Sequence, residues 1–352
     1  MKKLSTVRAF AALLAALFVS GAAIQAYVRV QPAGMEVGII DFFGGSKMSQ
    51  ETLRGALTIK EGHSISFNEP PVFIEESRRR LTALPGVVDA QLTVVCCEEG
   101  RAIVYVGVHA AGDFTSRFSA APNGVVRLDD EVVQAGRQFE QALTSAVRRG
   151  QGQEDDTQGH SLAIDPDTRG AQQRFLVIAS RDDRKLRTVL RESADAEHRA
   201  LAALILGYVA DKQSVVDDLV RAVNDPAEGV RNNAMRTLLV FTMTEPTPTR
   251  PVPNVPYEPF VGLLNSPIWS DRNKSSNALS VLTKNRDPKL LALLRTEAMV
   301  SLAEMARWKS VGHAGAALTI LGRMAGLPDE VVQQQLMRGE REPIIAAALT
   351  PG

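Results

Sequence analysis

The chain has 352 residues, and its 40 basic and 40 acidic side chains give a formal charge of zero. That balance argues against a nucleic-acid binder working through a phosphate-attracting field. Hydrophobic residues at 45% and charged residues at 23% argue against global disorder, and the length predicts two or three domains. Aromatics at only 5%, with Ala and Leu plentiful, suit stacked helices better than a β-sandwich.

Residues 1–26 read as an export signal. Lys2, Lys3 and Arg8 precede the apolar run 9–19, small residues follow at 20–23, and cleavage is predicted between Ala26 and Tyr27. The run is too short to cross a ~30 Å hydrocarbon core comfortably, and no later stretch is long and apolar enough to span a membrane. The expectation is a periplasmic or secreted protein, with membrane contact only through this segment left uncleaved. Cys96 and Cys97 are adjacent, so in a strand their side chains point to opposite faces. The reading is one buried and one exposed thiol, and a single Cys-Cys pair gives no zinc-ligand spacing.

Residues 37–43 (V-G-I-I-D-F-F) are a β-branched and aromatic run closed by Gly44-Gly45, hence a strand and a turn. Ser49 opens a helix that turns Leu53, Ala56 and Leu57 to one side. Pro70-Pro71 starts a second helix with Ile74, Leu81 and Leu84 at helical spacing, ended by Pro85-Gly86. Two strands, 87–95 and 102–108, flank a hairpin turn at 98–101, giving the order β-α-α-β-β. The motifs L-T-I-K-E-G-H (57–63), R-R-L-T-A-L-P-G-V-V-D-A-Q-L (79–92) and R-A-I-V-Y-V-G-V-H-A (101–110) make residues 35–110 resemble the POTRA domain family. The resemblance implies a module that binds partner polypeptides by adding a strand at a sheet edge. The membrane strands of a following barrel are missing, which argues against a transport role.

Residues 111–170 read as a connector with one helix, opened by Asp129-Asp130-Glu131, and a flexible polar loop at 150–159. Glu154, Asp155, Asp156 and His160 form the densest polar cluster of the chain. Carboxylates beside a histidine suit a hard cation or proton transfer, so these four are the candidate metal site. The following D-P-D-T-R-G (165–170) starts like a calcium loop, but Arg169 and Leu176 stand at ligand positions. A solvated loop and a helix N-cap is the competing reading.

From Arg174 onward the pattern is helical and weakly repetitive. Arg199, Arg231, Arg272 and His313 fall in register at offsets of 32, 41 and 41 residues. Ala202, Ala234, Ser275 and Ala316 follow them, then Leu206, Leu238, Leu279 and Ile320. Small residues let helices approach, and the leucines four positions on fill the space between repeats. With N-D-P-A-E-G-V-R-N-N-A-M-R-T-L-L-V (224–240) as its best unit, the region 171–340, within a helical domain expected over 171–345, resembles the HEAT repeat family. A proline-rich bridge at 245–259 interrupts it. This resemblance implies an all-α solenoid that presents a curved surface to other proteins. Arg231, Asn232, Asn233 and Arg272 are the candidate binding residues, with helix capping as their structural alternative.

The expected fold is therefore a small α+β domain followed by an all-α helical-repeat solenoid, mainly α overall. No nucleophile motif, nucleotide loop or metal cage appears. The leading reading is a non-enzymatic, cofactor-free scaffold of the cell envelope that binds protein partners. The alternative is a periplasmic metal-binding protein or hydrolase using the acidic and histidine loop at 154–167.

Overall fold

The computed structural model describes residues 34–45, 48–65, 72–113, 118–244, 246–247 and 251–350. The expected export signal at 1–26 lies outside the described residues, as do Pro70 and Pro71 at the expected start of the second helix. The described chain divides into two compact units. One spans 118–259, and the other joins 34–113 to 260–350.

The second unit begins with β1 (Met35–Gly44), α1 (Gln50–Ala56), β2 (Ser64–Ile65), α2 (Val72–Thr82), β3 (Val87–Glu98) and β4 (Arg101–Ala110). This is the expected β-α-α-β-β order with one addition, the two-residue β2 antiparallel to Met35 and Glu36. The sheet order is β2-β1-β4-β3, with β4 parallel to β1 and antiparallel to β3. Ser49 caps α1 by accepting the Thr52 N–H at 3.1 Å. The β3–β4 turn runs through Glu99 and Gly100 at φ 50° and 77°, the left-handed pair that matches strand twist in a two-residue hairpin. The expectation of separate thiols is corrected here: the neighbouring Cys96 and Cys97 sulfurs are bonded to each other.

Strand β4 is covered on both faces. Ala102, Val104, Val106 and Val108 join Leu53, Leu57 and Leu81 in the core beneath α1 and α2. The alternate residues Ile103, Tyr105 and Gly107 are buried against the C-terminal helices. A strand buried on both sides needs apolar residues at every position, which explains the unbroken run A-I-V-Y-V-G-V.

The unit at 118–259 contains α3 (Asp130–Arg148), β5 (Glu154–Asp155), β6 (Leu162–Ala163), α4 (Pro166–Glu192), α5 (Ala196–Ile205), α6 (Val216–Ala222) and α7 (Glu228–Met243). Helix α3 packs on α4, α4 on α5, and α5 and α6 on α7, so neighbours in sequence bury each other's apolar stripes. Helix α4 leaves helical geometry at Asp182 (φ −115°, ψ 16°), which divides it into two segments. The polar stretch expected as a flexible loop is instead a short hairpin, with Glu154 opposite Ala163 and Asp155 opposite Leu162.

The chain continues through α8 (Glu258–Leu263), α9 (Trp269–Leu282), α10 (Pro288–Glu297), α11 (Met299–Ala306), α12 (Val311–Met324), α13 (Asp329–Met337) and α14 (Glu342–Leu349). Helix α12 is central and packs on α9, α11, α13 and α14. These helices carry the aromatic seat for the sheet. Tyr105 stacks on Trp269 at 5.2 Å and lies 4.9 Å from Trp308, whose ring meets Phe43 at 5.7 Å. A Cβ built on Gly107 would overlap the Pro267 carbonyl oxygen and come within 2.7 Å of the Phe43 ring, so glycine is required there. Asp41 accepts the Lys309 N–H at 2.6 Å, and the Ser310 hydroxyl donates to Glu98 at 2.7 Å. The molecule is thus a small mixed sheet-and-helix domain followed by many helices, with the sheet's second face seated on the last of them.

Candidate protein-binding surface

The four positions that repeat in the sequence were placed by helical packing. Arg199 Nη1 donates to the Ser193 carbonyl at 2.8 Å, Arg231 Nη1 to the Asp225 carbonyl at 2.9 Å, and Arg272 Nε to the Ser266 carbonyl at 2.6 Å. Each arginine reaches back six residues, to a carbonyl in the loop that leads into its own helix. In the fourth copy His313 replaces the arginine, and its Nδ1 shares a 2.8 Å hydrogen bond with the Tyr105 hydroxyl. Burial holds the His313 pKa down to about 4, with the Lys274 charge adding to the effect.

Asp225 links two repeats. Its carboxylate takes Arg199 through both Nε (2.8 Å) and Nη2 (2.9 Å), while its carbonyl takes Arg231. Alongside it, Asn233 Nδ2 donates to the Ala200 carbonyl at 2.9 Å, and Thr237 Oγ1 to Ala203 at 3.0 Å. Asn233 and Thr237 sit one turn apart on α7 and read two carbonyls of α5, as i and i+4 neighbours must. Arg231 also covers the Phe118 ring at 3.9 Å. Asn232 is buried and donates to Asn233 Oδ1 at 3.3 Å. Of the expected binding set, Asn233 is turned into the packing between α5 and α7, Arg231 into the loop ahead of α7 and onto the Phe118 ring, and Asn232 is buried beside Asn233.

Arg272 stands in the other unit. Its guanidinium lies 4.6 Å above the Phe43 ring, and Nη1 donates to Glu304 at 2.9 Å. Burial lowers its pKa against the opposing pull of Glu304. Glu304 also accepts the Gly44 N–H at 3.1 Å. Gly44, Arg272 and Glu304 line a cleft of about 270 Å³ together with His109, Asn265 and Ser301.

The acidic and histidine loop is dispersed by the hairpin. Glu154 is held between Gln172 Nε2 at 2.7 Å and the Arg236 guanidinium. Burial works to lower the Arg236 pKa, but Glu154, Tyr208 and Asp156 outweigh it and raise it. Asp155 accepts the Thr157 N–H at 3.0 Å, which lowers its pKa. Asp156 accepts the Ser161 hydroxyl, and burial raises its pKa. The His160 ring packs 5.6 Å from Tyr208. Among the described residues, no three His, Cys, Asp or Glu side chains gather as metal ligands. Asp165 is the N-cap of α4, accepting the Thr168 N–H at 2.9 Å, with Pro166 in the first turn. Gln172, Tyr208 and Arg236, which hold the loop, carried no signal in the sequence beyond being polar residues on apolar helices.

Among the described residues the sheet has one strand with a neighbour on a single side, β3, apart from the two-residue β2. The free side of β1 is spent locally. Arg54 donates to the Ile40 carbonyl at 3.1 Å, Gly62 N–H to Val37, and Val37 N–H to His63. On β3 the register skips Val88, which is 62% exposed.

Comparison with known proteins adds one match. The family described as HEAT repeats matches residues 184–247. The matched stretch opens just past the break at Asp182 and runs through α5, α6 and α7, so it contains both Arg199 and Arg231. Repeats of this kind generally mediate protein–protein contacts and are typically non-enzymatic. No curated protein matches the chain.

Proposed function

We propose that the protein is an exported, non-enzymatic scaffold of the cell envelope. In this reading its N-terminal module, POTRA-like in its motifs and element order, takes an extended segment of a partner along β3. The helical repeats supply a second contact surface. The observation that carries the reading is the repeated arginine bond. It occurs at Arg199 and Arg231 inside the stretch matched by HEAT repeats and recurs at Arg272 beyond it. Support for strand addition comes from β3, whose outer edge has no strand beside it among the described residues. Support for export comes from residues 1–26 alone.

The test is affinity capture from an envelope fraction, comparing wild type with Val88→Pro. Val88 is the unpaired bulge residue of β3, where proline is tolerated, so the substitution alters the edge while leaving the paired positions of the ladder unchanged. The expected result is loss of a captured partner with unchanged melting, and a mature N-terminus at Tyr27. Capture of nothing above control by either protein rejects the scaffold reading, and an N-terminus at Met1 rejects export with cleavage.

A further inference from the structure

The 150–165 segment is bound by its own helices in the way a groove binds a peptide. Three side chains from three helical segments each take a different feature of an extended chain. On α4, Gln172 Oε1 accepts the Ala163 N–H at 2.6 Å. At the 3-10 turn after α5, the Tyr208 hydroxyl donates to the Ser161 carbonyl at 3.0 Å. On α7, Arg236 takes the Glu154 carboxylate, whose other oxygen receives Gln172 Nε2. One N–H, one carbonyl and one acidic side chain are thus read from successive helices. A two-residue strand pair adds little stability by itself, so side-chain contacts of this kind hold the hairpin in place.

We infer that the surface formed by Gln172, Tyr208 and Arg236 is a recognition site for an extended acidic segment, occupied in this state by the chain's own residues 154–163. The partner it fits is a polypeptide stretch carrying a glutamate followed by extended backbone, which enters when the hairpin lifts. The inference rests on the scaffold reading, and it gives that reading a partner chemistry. Arg236 explains the acidic preference. The residue is 8% exposed, and a buried cation left without its carboxylate is strongly unfavourable, so the site is filled either from within or from outside. Tethering sets the competition: a copy on a short linker acts at roughly millimolar effective concentration.

The experiment is binding of a labelled peptide copying residues 150–165 to the full chain. Glu154→Ala weakens the internal occupant and leaves Arg236 in place. The peptide is expected to bind this variant at least about tenfold more tightly than wild type, given the tethered copy's advantage. The same peptide carrying Glu154→Lys is expected not to bind. Hydrogen exchange on the wild-type chain supplies a second measurement that needs no variant. The Ala163 and Ile164 amides should exchange through local opening, roughly a hundredfold or more faster than core amides of α5 and α7. Equal peptide affinity for the two chains, or exchange of Ala163 only with global unfolding, overturns the inference. Partner capture through β3 is unaffected by either result, so the two failures are separable.

Discussion

Arg199→Met tests whether the link between α5 and α7 is what holds successive repeats together. The guanidinium is 2% exposed and makes three bonds, two to the Asp225 carboxylate and one to the Ser193 carbonyl. Methionine fills much of the same volume, so the transfer term is small and the electrostatic loss dominates. Asp225, itself 6% exposed, keeps the Ala227 N–H at 2.8 Å for its carboxylate and no other cation among the described residues. Removing one partner of a buried ion pair costs about 3–5 kcal/mol because the other charge stays desolvated and unpaired. At roughly 2–4 °C per kcal/mol for a unit of about this size, melting should fall by roughly 6–20 °C. Asp225→Asn keeps the shape and removes the charge, so the double variant should recover part of the loss. Urea unfolding of the four proteins gives a coupling energy, expected to be about 2 kcal/mol or more for contacting residues in one network. A coupling energy near zero, or a loss below about 1 kcal/mol in Arg199→Met, would refute the reasoning.

Two further outcomes are expected. Gly107→Ala places a methyl group against the Pro267 carbonyl and the Phe43 ring, and overpacking of this kind should cost about 1–3 kcal/mol in thermal unfolding; unchanged melting would show that the sheet is not seated on these helices. His313 is half-buried, and desolvation holds its pKa down to about 4, against 6.5 unperturbed, so it is neutral at pH 7. The unfolded chain therefore binds the extra proton first, and the stability contributed by neutral His313 is complete above about pH 6.5 and is lost as pH falls towards 4. The loss should approach about 3 kcal/mol across that window. Asp41 works in the opposite direction, since its raised pKa lets the folded state take a proton more readily. The difference between wild type and His313→Gln isolates the histidine, and parallel stability curves from pH 4 to 7 would contradict its desolvated neutral state.

Much of the local structure was legible. Ser49, Asp165 with Pro166, and the Glu99-Gly100 turn act within three or four residues of themselves, so their roles follow from residue type and spacing. The register of Arg199, Arg231 and Arg272 was legible too, and it leads to the same six-residue bond each time. The candidate sites were harder. Arg231 to Asn233 read as candidate binding residues or helix caps near a helix start, but Asn233 is taken up by α5 and Arg231 by the loop at 225–226. Glu154 to His160 read as a loop because the groups that hold Glu154, Gln172 and Arg236, lie 18 and 82 residues further on. Tyr105 and Gly107 had one available signal, the unbroken apolar run around them, which indicates cover on both faces of a strand without naming what provides it.

Periodicity, caps and turn residues fixed the helices, the strands and the repeat phase, because those depend on interactions a few residues long. Folding decided which charges meet, which sheet edge stays open and what seats the second face of β4. Glu154 finds Arg236 across 82 residues, and Tyr105 finds His313 across 208. Whether such a group is solvated or paired is a property of its surroundings in space, and desolvation energy has no counterpart in local sequence.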